Sequence, residues 1–206
     1  MTLEKILYIH GKNGNAHEFD KYEKFLNRKI IGIDYQQDYR PQFAKEIIFN
    51  KYLEIKNTCP NSEKFEIIAN SIGAYFSMLA FENEQENFSR AFFISPIVDM
   101  EKIILNMMSR AGVSEKDLKA KGEIQIDFGE VLSWQYLQFV RAHPLKWNVP
   151  TNIIYGSEDF LTPLEIIKTF AKNHNFSLTV MDGGEHWFHT TEQMNFLTEW
   201  LREKII

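Results

Sequence analysis

Short runs of apolar residues recur along the chain, and segments with apolar residues at helical spacing separate them. Runs of this length, rich in β-branched and aromatic residues, are typical of buried strands. The pattern predicts strands at residues 6–9, 30–35, 65–69, 91–94, 152–155 and 176–181. It predicts helices at residues 18–26, 41–57, 72–82 and 188–203, with a further helix that starts at residues 162–163.

The alternation of strands and helices indicates the fold class. It is typical of α/β proteins, in which helices cover both faces of a parallel sheet and the crossovers are right-handed. Pro41 marks the start of one helix, and Thr162, Pro163 and Glu165 form the pattern of a capping box at the start of another. We therefore expect a mostly parallel sheet of about six strands, flanked by helices.

The segment between Pro96 and Pro150 breaks this rhythm, because it contains no strong strand pattern. It begins with an apolar stripe at helical spacing, formed by Met100, Ile103, Ile104, Met107, Met108 and Ala111. A charged stretch at residues 114–123 follows, and then a second helical pattern at residues 131–140. We interpret residues 97–149 as a helical, cap-like insertion within one domain that spans residues 1–206.

Composition and charge narrow the class of protein. Of the 206 residues, 44% are hydrophobic and 25% are charged, as in an average globular protein. The formal net charge of −5 disfavours nucleic-acid binding, because binding to phosphates needs a basic surface. The single cysteine, Cys59, excludes an intrachain disulfide. No apolar run approaches a membrane span and residues 1–10 show no signal peptide, so we expect a cytoplasmic location.

In open parallel sheets, functional residues gather in the loops after the carboxyl ends of the strands. The third predicted strand ends in Ala69-Asn70-Ser71-Ile72-Gly73, which matches the G-x-S-x-G nucleophile elbow with alanine at its first position. The elbow needs small residues because its turn is sharp and the neighbours of the serine pack closely. Ser71 is therefore a candidate nucleophile; the alternative is that its hydroxyl only caps the following helix.

An acid and a histidine follow the last two predicted strands. Glu158 and Asp159 lie in a loop that begins with Gly156, and either carboxylate could orient a histidine. His186 lies just past the last strand, and His189, three residues further on, is the weaker candidate. The serine, the acid and the histidine each follow a separate strand, so all three are expected at one edge of the sheet.

With these motifs in this order, the chain resembles the α/β-hydrolase family over nearly its whole length, apart from the insertion. His10-Gly11 resembles the family's HG oxyanion motif, Gly156-Ser157-Glu158-Asp159 its acid loop, and Gly184-Glu185-His186 its histidine loop. The match selects the aspartate of the acid loop over its glutamate. Some hydrolases place the acid one strand earlier, which here would be Asp99. Family members commonly begin with extra antiparallel strands, so the resemblance implies a shortened N-terminus.

The resemblance implies a triad in which Ser71 is the nucleophile, His186 is the base and Asp159 orients the base. The backbone N–H of Ile72 would supply one donor of the oxyanion hole by the elbow rule. The backbone N–H of Lys12 would supply the other by resemblance to the family.

The predicted function is that of a serine hydrolase that cleaves carboxylic esters of small or medium acyl groups through an acyl-enzyme. Thioester or amide cleavage on the same triad is an alternative, and so is a hydrolase-fold protein that binds without turnover. Met107, Met108, Trp134 and Trp187 are candidate substrate-binding residues, although core packing explains the methionines equally well. We expect a small-molecule substrate, no cofactor, no metal, and neither nucleic acid nor membrane as a partner.

Overall fold

The computed structural model describes residues 5–35, 39–59 and 64–205. The first four residues of the segment predicted to lack a signal peptide lie outside this part of the chain. The strands are β1 (Lys5–Ile9), β2 (Ile30–Ile33), β3 (Phe65–Asn70), β4 (Phe88–Ile94), β5 (Glu123–Gln125), β6 (Val131–Ser133), β7 (Thr151–Gly156) and β8 (Ser177–Met181). The α-helices are α1 (Glu23–Leu26), α2 (Pro41–Lys56), α3 (Ile72–Ala80), α4 (Met100–Arg110), α5 (Glu115–Lys121), α6 (Trp134–Ala142), α7 (Leu164–His174) and α8 (Thr191–Ile205).

Six strands form one sheet in the order β2-β1-β3-β4-β7-β8, and every neighbouring pair in it is parallel. β1 lies inside this sheet, where Ile6 pairs with Ile30 of β2 and Leu7 pairs with Ile67 of β3. The order in which strands are added therefore reverses between β1 and β3. The predicted fold class, an α/β protein with a six-stranded parallel sheet, is confirmed.

Alternate side chains of the strands enter two hydrophobic clusters on opposite faces of the sheet. On β1, Leu7 and Ile9 belong to the larger cluster, and Ile6 and Tyr8 belong to the smaller one. Helices α2, α3 and α7 contribute to the larger cluster, whereas α1 and α8 contribute to the smaller one. Strands that are buried on both faces read as continuous apolar runs, which is why the sequence pattern reveals them.

The structure corrects two predicted helix boundaries. The helix predicted at residues 18–26 begins at Asp20 instead, with the 3-10 turn Asp20–Tyr22 leading directly into the short α1. The helix predicted to begin at residue 188 begins at Thr191, the first residue of α8. The hydroxyl of Thr190 accepts a backbone N–H of its first turn at 3.2 Å and so acts as a cap. His189 therefore lies outside the helix in which it was predicted.

The segment between β4 and β7 holds α4, α5 and α6 together with an antiparallel hairpin of β5 and β6. This hairpin lies outside the elements that the sequence pattern predicts for the segment. Each hairpin strand has three residues and buries little besides Leu132, which is too short a pattern to recognise in a sequence. The charged stretch is mostly α5, which begins with a capping box of Ser114 and Asp117. The cap-like role of residues 97–149 stays a prediction.

Among the described contacts, the capping box predicted at Thr162 does not form. Pro163 occupies the N-cap position of α7, and its helix start has no side-chain cap. The backbone N–H of Thr162 instead donates to Oδ1 of Asp159 at 3.3 Å, because the chain turns around that carboxylate before the helix begins. The pattern around Thr162 therefore belongs to the loop of the candidate site.

Candidate active site

The candidate site lies at the carboxyl edge of the sheet, where the loops after β1, β3, β7 and β8 meet. Ser71 follows β3, Asp159 follows β7, and His186 follows β8. β1 and β3 flank the point at which the strand order reverses, and a parallel sheet leaves a crevice at such a point. The topology alone thus brings together residues that are far apart in the sequence.

Ser71 occupies a strained turn between β3 and α3. Its backbone has φ 54° and ψ −121°, an unusual conformation for a residue other than glycine. Its side chain makes no capping bond to α3, so the alternative that it serves only as a helix cap fails. A methyl group added to Gly73 would lie 2.4 Å from the carbonyl oxygen of His10, so only glycine lets the helix approach β1 this closely.

Three side chains form a continuous hydrogen-bonded series. Oγ of Ser71 lies 2.8 Å from Nε2 of His186, and Nδ1 of His186 lies 2.7 Å from Oδ2 of Asp159. All three residues are buried, with exposures of 8%, 1% and 8%. An ionised carboxylate can only accept, so Nδ1 carries the imidazole proton and Nε2 accepts the proton of the Ser71 hydroxyl. The arrangement prepares that hydroxyl to lose its proton to the imidazole.

The acid loop fixes the Asp159 carboxylate from its other side. Oδ1 accepts the backbone N–H groups of Leu161 and Thr162 at 2.8 and 3.3 Å. The hydroxyl of Tyr155 donates to the carbonyl groups of Asp159 and Thr162. Burial is the main cause that raises the pKa of Tyr155, and the negative charge of Asp159 raises it further. Tyr155 therefore keeps its proton and holds the loop closed.

The other candidate acids lie elsewhere. The Glu158 side chain is exposed, although its backbone N–H donates to the carbonyl of Gly184 at 2.8 Å. Asp99 accepts the backbone N–H of Lys102 at 3.0 Å and caps α4. Of the three acids considered, the structure brings only Asp159 to the histidine.

The acid loop and the histidine loop touch through their backbones. A methyl group added to Gly156 would lie 2.3 Å from the carbonyl oxygen of Gly184. The hydroxyl of Ser157 also accepts the N–H of Gly183 at 2.8 Å. This close approach sets the separation between the carboxylate and the imidazole, and it explains why Gly156 and Gly184 are glycines.

The loop after β1 passes directly beside the candidate nucleophile. A Cβ built on Gly11 would lie 3.3 Å from the Cβ of Ser71, so the next residue, Lys12, lies near the serine. Among the described residues, the backbone N–H groups of Lys12 and Ile72 have no hydrogen-bond acceptor. Two free N–H groups near the serine fit the predicted oxyanion hole, whose assignment stays a prediction.

Two tyrosines that sequence reasoning missed hold this loop in place. Tyr35 stacks on the His10 ring with centroids 4.2 Å apart, and its hydroxyl donates to the His10 carbonyl at 2.9 Å. The hydroxyl of Tyr39 accepts the backbone N–H of Asn13 at 2.7 Å. Burial raises the pKa of Tyr35, so this donor stays protonated. Both tyrosines follow β2, and their partners are evident only once β1 and β2 are paired.

A second polar chain reaches Asn70, the residue before the candidate nucleophile. The Tyr8 hydroxyl donates to the carboxylate of Glu18, and the Asn70 side chain acts on the same hydroxyl in the direction that lowers its pKa. The other oxygen of that carboxylate accepts the N–H of Asn15 at 3.2 Å. Burial and the contact with Glu18 raise the pKa of Tyr8, so Tyr8 remains a donor. From the sequence alone, Tyr8 cannot be distinguished from the apolar residues of β1.

The four candidate substrate-binding residues divide into two groups. Met108 is buried in the larger hydrophobic cluster, and Met107 and Trp134 pack against that cluster. Trp187, in contrast, is 55% exposed and lies beside His186, with ring centroids 5.6 Å apart. The centre of the Trp134 ring also lies 5.9 Å from the ammonium group of the exposed Lys119. Substrate binding by all four residues stays a prediction.

The insertion nevertheless reaches the loop after β1. Nζ of Lys12 forms an ion pair with Glu130, at the turn between β5 and β6. The same ammonium group lies 5.6 Å from the centre of the Tyr39 ring. The side chain of the residue predicted to donate to the oxyanion is thus anchored between the insertion and the segment after β2.

A cleft of about 330 Å³ opens beside Asn70 and Trp187. We call it the aromatic cleft, because its lining includes Phe19, Tyr22, Asn70, Ile94, Trp187 and Phe188. It lies on the α1 and α8 side of the sheet, away from α6 and the rest of the insertion. Glu18 and Lys21 also belong to its lining.

The described residues contain no group of three or more His, Cys, Asp or Glu side chains arranged to hold a metal ion. In the same part of the chain, every helix is too short or too polar to cross a bilayer.

The sheet order and the placement of these loops define the α/β-hydrolase fold, as the sequence motifs predict. Est1E from Butyrivibrio proteoclasticus has a similar structure, with a TM-score of 0.77 and 18% identity over 98% of this chain and 86% of that chain. Alpha/beta hydrolase domain-containing protein 10 from mouse gives a TM-score of 0.75 and 14% identity, over 98% and 89% of the two chains. An esterase from Pyrococcus furiosus gives 0.68 and 13%, over 97% and 80%.

Residues 5–198 match the family described as Uncharacterised protein family (UPF0227), and the chain belongs to that family. A search of curated protein sequences finds no significant match. The similar structures share too little sequence identity to transfer an activity, so they establish the fold.

Proposed function

We propose that this protein is a serine hydrolase that cleaves carboxylic esters of small or medium acyl groups. The observation that carries the proposal is the buried series from Ser71 through His186 to Asp159, joined by contacts of 2.8 and 2.7 Å. A strained backbone presents the serine at the head of that series. The esterases among the similar structures support the same class of reaction.

In the proposed reaction, Oγ of Ser71 attacks the ester carbonyl carbon while Nε2 of His186 accepts the hydroxyl proton. Asp159 holds the imidazole in this tautomer and stabilises the imidazolium ion. The backbone N–H groups of Lys12 and Ile72 stabilise the oxyanion; loss of one such donor raises a barrier by ~3 kcal/mol. The bond to the leaving oxygen then breaks, and that oxygen takes the proton from His186. Water, activated by the same imidazole, hydrolyses the acyl-enzyme.

The first test of this proposal is covalent labelling of Ser71. We expect a fluorophosphonate probe to attach to Ser71 in the folded protein, because His186 activates that hydroxyl. Ser71→Ala should abolish both labelling and hydrolysis of p-nitrophenyl butyrate, a loss of about 10⁶-fold in kcat. Mass spectrometry of the labelled peptide and a continuous absorbance assay measure the two outcomes.

Ser109→Ala is the matched control, because it removes an exposed serine hydroxyl on α4, outside the candidate site. A folded protein that neither labels at Ser71 nor turns over an ester, thioester or amide substrate would sink the proposal. That result would favour the alternative of a hydrolase-fold protein that binds without turnover.

A further inference from the structure

We propose that the aromatic cleft binds the alcohol portion of the ester, and that Trp187 selects alcohols with an uncharged, apolar and preferably aromatic group. This inference rests on the proposed function and specifies which half of the substrate the cleft receives. The acyl portion then lies outside this cleft.

The position of the cleft relative to the reacting groups is the first argument. Its wall includes Asn70, which precedes Ser71, and Trp187, which follows His186. The indole of Trp187 meets the imidazole of His186 edge to face, at 87° with centroids 5.6 Å apart. The cleft therefore begins beside the group that moves the proton.

The chemistry of ester cleavage supplies the second argument. His186 must return its proton to the leaving oxygen, so that oxygen has to come within hydrogen-bonding reach of Nε2. The group attached to the leaving oxygen then extends away from Ser71 on the histidine side. The carbonyl oxygen instead points to the loop after β1, where Lys12 lies. Of the two ester substituents, the alcohol is thus the one directed to Trp187.

The lining of the cleft indicates the class of alcohol. Phe19, Tyr22, Trp187 and Phe188 supply aromatic rings, and the volume of about 330 Å³ is at the lower end of small-molecule sites. Both oxygens of the Glu18 carboxylate already accept hydrogen bonds from described residues. These features favour an uncharged group about the size of a ring over an ionic one.

Lys21 does not alter this conclusion, because its ammonium group lies over the Tyr22 ring at 5.1 Å from the centroid. The Lys21 side chain is exposed, so it lies at the rim of the cleft.

Trp187 is itself an unusual surface residue. It is 55% exposed, and its neighbour Phe160 is 59% exposed, although each directly follows a residue of the buried series. The two rings meet edge to face at 5.9 Å, so Phe160 supports the indole from outside the cleft. These exposed rings lie beside the reacting groups. An apolar ligand that covers them removes apolar surface from water, and this burial stabilises the complex.

The test compares methyl, cyclohexylmethyl and benzyl butyrate, which share one acyl group and differ in the alcohol. We expect the wild-type kcat/KM to rise in that order. Trp187→Ala should lower the benzyl-to-methyl ratio of kcat/KM about tenfold. Trp187→Phe should retain most of the ratio, and it also covers the case in which the alanine variant does not fold. Phe43→Ala is the matched control, because it removes an exposed aromatic side chain on α2 and should leave the ratio unchanged.

Two results would overturn the inference. The first is an unchanged benzyl-to-methyl ratio in Trp187→Ala, whether or not all three esters lose kcat/KM equally. The second is an effect that depends on the acyl group instead, measured with methyl acetate and methyl phenylacetate. The proposed function is judged separately, by labelling of Ser71 and hydrolysis of the methyl ester in the wild type. If these succeed and the wild type shows no preference for benzyl over methyl, only the assignment of the cleft fails.

Discussion

The carboxylate of Asp159 shows how much of the candidate chemistry depends on single atoms. One of its oxygens accepts from the imidazole of His186, and the other accepts from two backbone N–H groups. Both oxygens are therefore committed as acceptors, and the side chain cannot rotate without losing a bond. This arrangement fixes the tautomer of the imidazole, and the tautomer decides whether Ser71 can give up its proton.

At this residue scale we predict the effect of Asp159→Asn. An amide in place of the carboxylate donates to Nδ1, so the imidazole proton moves to Nε2 and Ser71 loses its acceptor. We expect kcat for p-nitrophenyl butyrate to fall by roughly 10³–10⁴-fold, as measured by stopped-time or continuous assay with matched circular dichroism spectra.

Glu158→Gln is the control at the neighbouring position, since the Glu158 side chain is exposed and should leave kcat within about twofold. If Glu158→Gln were the inactive variant and Asp159→Asn the active one, the orienting acid would be assigned to the wrong residue.

At the scale of elements, a buried charge cluster joins β3 to its neighbours at the end of the strand away from Ser71. Glu66 of β3 is 1% exposed and contacts Arg28 at 2.6 Å and Arg90 at 2.5 Å. Arg90 also donates to the carbonyl of Lys204, near the end of α8, at 2.9 Å. The cluster therefore connects the sheet to the helix that covers the smaller hydrophobic cluster.

We predict that Glu66→Gln lowers the free energy of unfolding by about 3 kcal/mol. It removes the carboxylate that compensates two guanidinium groups, and the loss of one partner from a buried cluster is strongly destabilising. Urea unfolding followed by tryptophan fluorescence measures the change. The folded variant should keep its kcat, because Ser71 lies at the opposite end of β3.

Glu54→Gln is the comparison for this prediction. It breaks an exposed i,i+3 pair with Lys51 on α2 and should change the free energy of unfolding by less than about 1 kcal/mol. Equal effects of the two substitutions would show that burial of the Glu66 cluster contributes nothing to stability.

At the scale of the whole molecule, the site is an assembly of loops from the two ends of the chain and from its middle. The loops after β1 and β3 bring the candidate oxyanion donors and nucleophile, and those after β7 and β8 bring the acid and base. Apart from the water that hydrolyses the acyl-enzyme, protein side chains and backbone groups therefore supply every group that the proposed reaction uses.

Because the proposed reaction uses an imidazole base and backbone donors, we predict how it responds to the removal of metal ions. We expect hydrolysis of p-nitrophenyl butyrate to be unchanged, within about 20%, after overnight treatment with EDTA and removal of the chelator, because an imidazole base needs no Lewis acid. Loss of activity that added zinc restores would contradict the proposed mechanism.

Local patterns in the sequence predict most of the sheet, because strands buried on both faces must be apolar throughout. They also predict Ser71 and His186 in sharp turns at strand ends, where small neighbours are required. They fail at the hairpin of β5 and β6, since three-residue strands carry no period. They also fail at Thr162. Its backbone N–H donates to the Asp159 carboxylate, and the predicted capping box does not form among the described contacts.

The sequence by itself determined the class of fold, and it supplied the candidate serine, the candidate histidine and two rival acids in the acid loop. From the residues alone, Glu158 and Asp159 were equivalent; tertiary structure separates them, because only one side chain of the turn can point to His186. Tertiary structure alone also decided the partners of Tyr8, Tyr35 and Trp187. Hydrogen bonds and ring contacts between distant segments depend on how strands pair and loops close, and no local pattern encodes them.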